Sequence, residues 1–420
     1  MKTHIRMAAA TCGALLSTVA LSANDPVLEW NSIMVSTMSG QNPIAQSRFA
    51  AITQVAVFEA VNAIDKDYDP YLGTVTAPRG ASAEAAAIAA AHAVLKNYFP
   101  TNAPALDAAR AASLAGIPDG TRKQDGIAVG EAAAAAMIDL RIDDGSAPPE
   151  FYLPTSANPG EWQVTPGCPA AGGILLQWRN LRPFAIATTD QFRAAPPPAL
   201  TSRRYTRDYI EVQRVGGVGS SYRPQDRADV ARLYAVTGPV AVWNSAASQV
   251  AIAQGRSMSE NARAFALLNM AINDAQAAIF ETKYHYNFWR PETAIRAGDT
   301  DGNPFTQKTA DFVPFITTPC FPSYASGHGS SSNAAREVLE RLYGPRHHFI
   351  TISNPLVQGV VLQYGAFQQM TRDIDDARVY GGIHFRFDQE AGAKLGRQVG
   401  AYVHRNTLRP AHGDDDGQCR

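Results

Sequence analysis

Three short stretches in the second half of the chain gather side chains that do chemistry. The first reads Lys283-Tyr-His-Tyr-Asn-Phe-Trp-Arg290-Pro291 and the second Pro322-Ser-Tyr-Ala-Ser326-Gly327-His328. The third reads Arg378-Val-Tyr-Gly-Gly-Ile-His384-Phe-Arg-Phe-Asp388. Lys283, Arg290 and Arg378 are three cations beside irregular or glycine-containing backbone. An arginine offers a planar fork to two oxygens of an oxyanion, and a lysine offers a point charge. Ser326-Gly327-His328 stands directly before a helical run. Ser326 is placed to cap that helix, Gly327 permits close approach, and the free N–H groups of the first turn make an anion site. His384 and Asp388 are four apart. With a helix starting near His384, the carboxylate accepts from one ring nitrogen and leaves the other basic, as for a metal ligand or a nucleophile. His328 is the second histidine, suited to proton transfer. Each piece alone is ordinary: a solvated charge, a turn, a surface hydrogen bond. Their order and spacing together carry the signal.

The elements that must position these groups read as helices. Asn42-Pro43 opens one that ends before Asp69-Pro70, with Ile44, Ala51, Val55 and Phe58 at helical spacing. Ser82 to Tyr98, Leu106 to Ala115 and Gln124 to Leu140 follow, rich in alanine and suited to close helix packing. His92 falls in this set and reads as a packed core histidine. Residues 143–183 are rich in Gly, Pro and Trp without a steady period, a long connection of the kind that often carries function. Pro196-Pro197-Pro198 marks a stiff joint. A second set is predicted at Arg203 to Val215, Gln225 to Val236, Val240 to Ala253, Ser259 to Tyr286, His328 to Tyr343, Pro355 to Asp373 and His384 to Asn406. An irregular stretch, 287–326, interrupts it, and Asp299 to Asn303 within it reads as a polar turn rather than a calcium loop. No alternating strand pattern stands out. The expected fold is all-α: two packed helical bundles, with the oxyanion site in the C-terminal one.

Composition bounds the rest. The chain has 420 residues, 45% hydrophobic and 18% charged, in the globular range, and its net charge of −1 attracts neither nucleic acid nor an anionic membrane. Lys2, His4 and Arg6 precede a short apolar run from Met7 to Ala20, so residues 1–23 read as a signal peptide. The mature chain is then expected to begin close to Asn24, secreted or periplasmic, without stable membrane insertion. Residues 24–195 form the N-terminal helical half with its long loop, 196–412 the C-terminal half, and 413–420 an acidic tail. Cys168, Cys320 and Cys419 remain after removal of Cys12. That odd number allows one disulfide and one free thiol, and the pairing stays open.

The spacing of the three stretches resembles the signature of the vanadium haloperoxidases and type 2 phosphatidic acid phosphatases: Lys, six residues, Arg-Pro; Ser-Gly-His; Arg, five residues, His, three residues, Asp. Asp25 to Asn31 and Phe58 to Asp65 also resemble the bacterial haloperoxidase-like branch. The resemblance implies a pocket for vanadate, which phosphate can also occupy. Lys283, Arg290, Ser326, Gly327 and Arg378 would hold its oxygens and His384 would be the ligand to the metal. Lys283, His328 and Asp388 would be catalytic: Lys283 drawing charge from peroxide, His328 as acid and base, Asp388 orienting His384. Vanadate would act as a Lewis acid, hydrogen peroxide would be the oxidant, and a halide would leave as hypohalous acid or in a halogenated small organic acceptor.

The alternative is a soluble acid phosphatase on the same parts, with His384 attacking phosphorus and a phosphohistidine hydrolysed. A non-catalytic oxyanion binder would have no need of His328 or Asp388. Trp289 with Tyr284, Tyr286 and Phe288, and the segment Gly382 to Asp388, resemble the chloroperoxidase-like members, which favours the peroxidase. Phe321, seven residues before His328, matches an aromatic near the halide there, and reads equally as core. Ala325 and Ala377 depart from the Pro and Ser common at those places, which removes no ligand but weakens the inference about substrate specificity. The halide, the acceptor and the oligomeric state are not written in the sequence.

Overall fold

The computed structural model describes residues 25–411. The expected signal peptide, the acidic tail, Cys12 and Cys419 lie outside the described residues. Five helices come first: α1 (Pro26–Thr37), α2 (Pro43–Asp65), α3 (Ala83–Tyr98), α4 (Ala103–Ala115) and α5 (Thr121–Leu140). Then come α6 (Arg203–Val215), α7 (Gln225–Val236), α8 (Pro239–Gln254), α9 (Met258–Tyr286), α10 (Pro291–Arg296) and α11 (Gly327–Tyr343). A hairpin of β1 (Arg346–Ser353) and β2 (Val361–Ala366) leads to α12 (Phe367–Tyr380) and α13 (Arg386–Asn406). Among the described residues no helix is long and apolar enough to cross a membrane.

Local chemistry sets many of the helix starts. Asp25, Asn42, Ser82, Ser202, Ser257 and Ser326 each accept a first-turn N–H, and Pro26 and Pro43 occupy first-turn positions where a missing donor costs nothing. Small residues then set how closely helices approach. The alanines of α3 are buried against α2 and α5. On α13, Gly392, Gly396 and Gly400 face α11, where a Cβ on any of them would meet the carbonyls of Ser326, Ser330 and Ala334 respectively. The second pairing fixes the start of α11. α9 is the central post: it packs on α2 of the first group and on α11 and α13 of the second.

Three places depart from the sequence reading, among them the 287–326 stretch expected to be irregular, which holds the short helix α10. α1 was not anticipated as a helix, although its Asp25-Pro26 start is a recognisable opening. The helix expected from Pro355 begins only at Phe367, because β2 occupies 361–366 and pairs antiparallel with β1, Ile350 opposite Tyr364. β1 does alternate, with His348, Ile350 and Ile352 inward, but the outward partners include Phe349, 92% exposed. An apolar residue on the wet face hides the period of two.

The irregular 141–202 stretch lies against the chemistry-bearing segments. Trp162 donates its N–H to Asn287 O, Trp289 N–H reaches Gly160 O, and Ile174 N–H reaches Cys320 O. Cys168 and Cys320 form a disulfide across 152 residues. Buried Asp274 on α9 accepts from the N–H groups of Phe184, Ala185 and Ile186. Asp301 takes the Asn303 N–H and the Thr306 hydroxyl in a polar turn that Asn303 ties to Leu200 O and Thr206 Oγ1. His92 is buried, bonded to Asp107 at 2.7 Å.

Candidate active site

Lys283, in the last turn of α9, is fully buried, and its Nζ donates to the carbonyls of Pro322 (2.9 Å) and Ser323 (2.8 Å). Arg290 caps α10 and is also fully buried. Its Nε donates to Phe321 O (2.9 Å) and one terminal nitrogen to Ile383 O (2.9 Å). Both cations lie over the Phe321 ring, at 5.2 and 5.0 Å from its centroid. Arg378 enters from the last turn of α12, with one terminal nitrogen 3.3 Å from Tyr234 O. Three chain segments distant in sequence thus deliver their charges to one place.

That place is the N-terminus of α11. Ser326 Oγ accepts from Gly329 N–H at 3.1 Å, which leaves the hydroxyl hydrogen free to donate. The first-turn N–H of Gly327 has no partner within the helix. Ser326 N–H donates to Asp388 O at 2.9 Å, so the helix start is tied directly to the His384 segment.

His384 precedes α13 instead of starting it, and the expected helical i, i+4 geometry does not apply. Asp388 sits in the first turn of α13 and folds back. Its Oδ2 accepts from His384 Nδ1 (2.8 Å), Ser323 Oγ (2.6 Å) and Phe385 N–H (3.1 Å). This puts the proton on Nδ1 and leaves Nε2 as an acceptor. Nε2 lies 3.0 Å from an Arg290 terminal nitrogen, inside the cation cluster. Ser323 and the carbonyls of Phe321 and Pro322 are members of the site that motif reading did not single out. Ser323 lay in a quoted stretch, but nothing in its type distinguished it from a loop serine.

The electrostatics are those of a single buried cluster. Burial, then the charges of Arg378, Lys283 and Arg290, hold His328 well below its ordinary pKa. Burial, then the same three cations, does likewise for His384, with His328 contributing further. Burial and Arg290 hold Lys283 well down. Burial lowers Arg290 to about 9 against the pull of Asp388, and lowers Arg378 to about 10. Asp388 is pushed up to about 6 by burial, against the Ser323 bond and the Lys283 charge. With neutral imidazoles, three buried cations face one carboxylate. Such an excess of desolvated positive charge calls for an anion.

The remaining donors fit a small oxyanion. A terminal nitrogen of Arg290 and Nε of Arg378 are buried with no partner. Together with the Ser326 hydroxyl, the Gly327 N–H and the acceptor nitrogen of His384, they supply hydrogen bonds for oxygens and one nitrogen for a metal. Lys283, Arg290, Ser326, Gly327, His328, Arg378, His384 and Asp388 are therefore all brought to one site. Phe288, Tyr205, Phe385, Phe387 and Tyr324, from the same and neighbouring segments, form an interlocked aromatic cluster.

Comparison with known proteins agrees with this geometry. Residues 263–413 match the family described as the VCPO second helical-bundle domain. A vanadium chloroperoxidase of Curvularia inaequalis is 28% identical over 269 residues, 52% of this chain and 43% of that protein, so the match spans less than half the relative's length. Among solved structures, a bacterial vanadium-dependent iodoperoxidase superposes with a TM-score of 0.77 at 25% identity, covering 93% of this chain and 97% of that one. The holo form of a bacterial vanadium-dependent chloroperoxidase shares the fold, with a TM-score of 0.69 at 18% identity over 88% and 93% of the two chains. In motif, site and fold, this chain resembles the vanadium haloperoxidases, most directly over residues 263–413.

Proposed function

We propose that the protein is an exported vanadium-dependent haloperoxidase that oxidises halide with hydrogen peroxide, giving hypohalous acid or a halogenated small organic product. The observation that carries this reading is the His384 Nε2 acceptor, oriented by Asp388 at 2.8 Å and set among three buried cations with unused donors. When bound there, vanadate supplies Lewis acidity toward peroxide. Arg290, Arg378, Ser326 and Gly327 would hold its oxygens and His384 its metal. Lys283 would set positive charge beside the bound oxygens, and His328, kept neutral by burial and the three cations, would exchange a proton once an anion offsets their charge. The Phe321 ring covers the Lys283 and Arg290 charges on one side. Export is supported by the basic-then-apolar start of the sequence and by the bonded Cys168–Cys320 pair, which suits an oxidising compartment.

The same donors suit phosphate, so the phosphatase reading makes a distinct demand. Halide oxidation by peroxide and hydrolysis of a phosphate monoester are to be measured side by side, with added vanadate and without. Peroxide-dependent bromination or iodination of a dye that requires vanadate is the expected result. Ester turnover by vanadate-free protein, with no halogenation when vanadate is supplied, would establish the phosphatase instead.

A further inference from the structure

We propose that Gln276 is a further oxyanion-contacting residue, supplied by α9 from outside the three motif stretches. It stands seven residues before Lys283, a separation that returns to nearly the same face of the helix. The residue is 1% exposed, and its Oε1 is buried with no hydrogen-bond partner. That atom lies 3.3 Å from the point a Cβ on Gly327 would take. With a C–C bond of ~1.5 Å, Oε1 is within about 5 Å of the Gly327 Cα. The carboxamide therefore walls the α9 side of the α11 N-terminus, at the residue whose N–H has no partner within the helix.

Few side chains suit that position better than a primary amide. Its oxygen and nitrogen ends exchange places by a half-turn about the last bond. An anion seated on the Gly327 N–H repels the carbonyl end and accepts from the NH₂ end. Gln276 then donates without adding a fourth buried cation to a cluster already in excess. The same contact accounts for glycine at 327, because a side chain there would crowd the amide. This inference rests on the oxyanion reading of the pocket.

The test is calorimetric titration of the vanadate-free full chain with vanadate and, separately, with inorganic phosphate. Gln276→Met keeps the volume and removes the donor; Gln276→Glu keeps the shape and sets a carboxylate against the anion. Thermal melting without anion checks that both variants are folded. The expected result is ~10-fold weaker binding of both anions by the Met variant. The Glu variant is expected to bind at least ~10-fold more weakly again, because like charge now faces like charge. Variants that bind both anions as tightly as the parent overturn the proposal, and so does an equal loss in both, which would mark a packing role. Should the parent itself bind neither anion, the oxyanion reading of the pocket fails, and this inference with it.

Discussion

The two site histidines differ in what surrounds them, and they are expected to fail differently. His384 is held on one side by Asp388 and presents its other nitrogen to the cations. His384→Ala should abolish tight vanadate binding and activity together. His328 has no such anchor and titrates under three positive neighbours. His328→Ala should keep much of the vanadate affinity while halide oxidation at saturating vanadate falls ~10²–10⁴-fold, the usual worth of general acid–base catalysis. Asp388→Ala should weaken vanadate binding ~10–100-fold by freeing the imidazole. Equilibrium titration followed by rate measurement on each variant separates these outcomes, and reversed behaviour of the two histidines would exchange their roles. Three residues before Arg378 on α12, and against Gly329 of α11, Asp375 is pushed up to about 7 by burial, with Asp376 adding to the effect against Arg386, and its Oδ1 has no partner. A carboxyl with a raised folded pKa holds a proton that the unfolded chain releases, so stability falls as pH rises from about 4 to about 7. Asp375→Asn should therefore stabilise the protein by ~1–3 kcal/mol at pH 8 and hardly at pH 4, the range allowing for its partial exposure. Denaturant melts at the two pH values decide it; an equal effect at both would show that the proton is not the cause.

At the scale of elements, what was legible followed from caps and periods. Ser326 announced the start of α11, Asn42-Pro43 that of α2, and the apolar repeats marked α9 and α13 to within a few residues. The convergence of Lys283, Arg290, Arg378 and the two histidines was equally legible, because their order and spacing set them apart from ordinary surface charges. What failed has physical causes. Phe349 on the wet face of β1 masked its alternation, and in the segment 355–366 the breakers Gly359 and Gly365 and the β-branched Val360-Val361 pair went unread beside the apolar run. The backbone carbonyls that hold Lys283 and Arg290 have no side-chain signature at all. Nor did the turn at His384 show that Asp388 would act by folding back from a first turn. The close α11–α13 contact was hinted at only by the spacing of Gly392, Gly396 and Gly400. Gly396→Ala would drive a methyl into the Ser330 carbonyl and force the helices apart. A loss of ~1–3 kcal/mol is expected on chemical denaturation, despite the better helix propensity of alanine. Since the displaced helix carries Ser326 and Gly327 at its start, anion affinity should fall as well. Unchanged stability would mean that the pair has slack.

For the whole molecule, the first helical group and the long 141–202 stretch act as a brace for chemistry housed in the second group. α9 bears on both, and Asp274 pins it to the 184–186 backbone. The Cys168–Cys320 bond fastens the brace one residue before Phe321, at the start of the segment whose carbonyls hold the cations. Replacing both cysteines by serine should cost ~2–5 kcal/mol of stability, read from thermal or denaturant unfolding. Anion affinity should drop too, as the 320–323 segment loosens; stability lost with affinity intact would confine the bond to a purely mechanical role. The position of the bond also has a topological consequence. It closes a covalent ring that contains the triple proline, all of α6 to α10, and both Lys283 and Arg290. A protease that severs the chain once anywhere inside that ring opens it without releasing a fragment. The nicked protein would run as a single species on a non-reducing gel and as two after reduction, and it could keep its pocket through a cut that would otherwise divide the molecule.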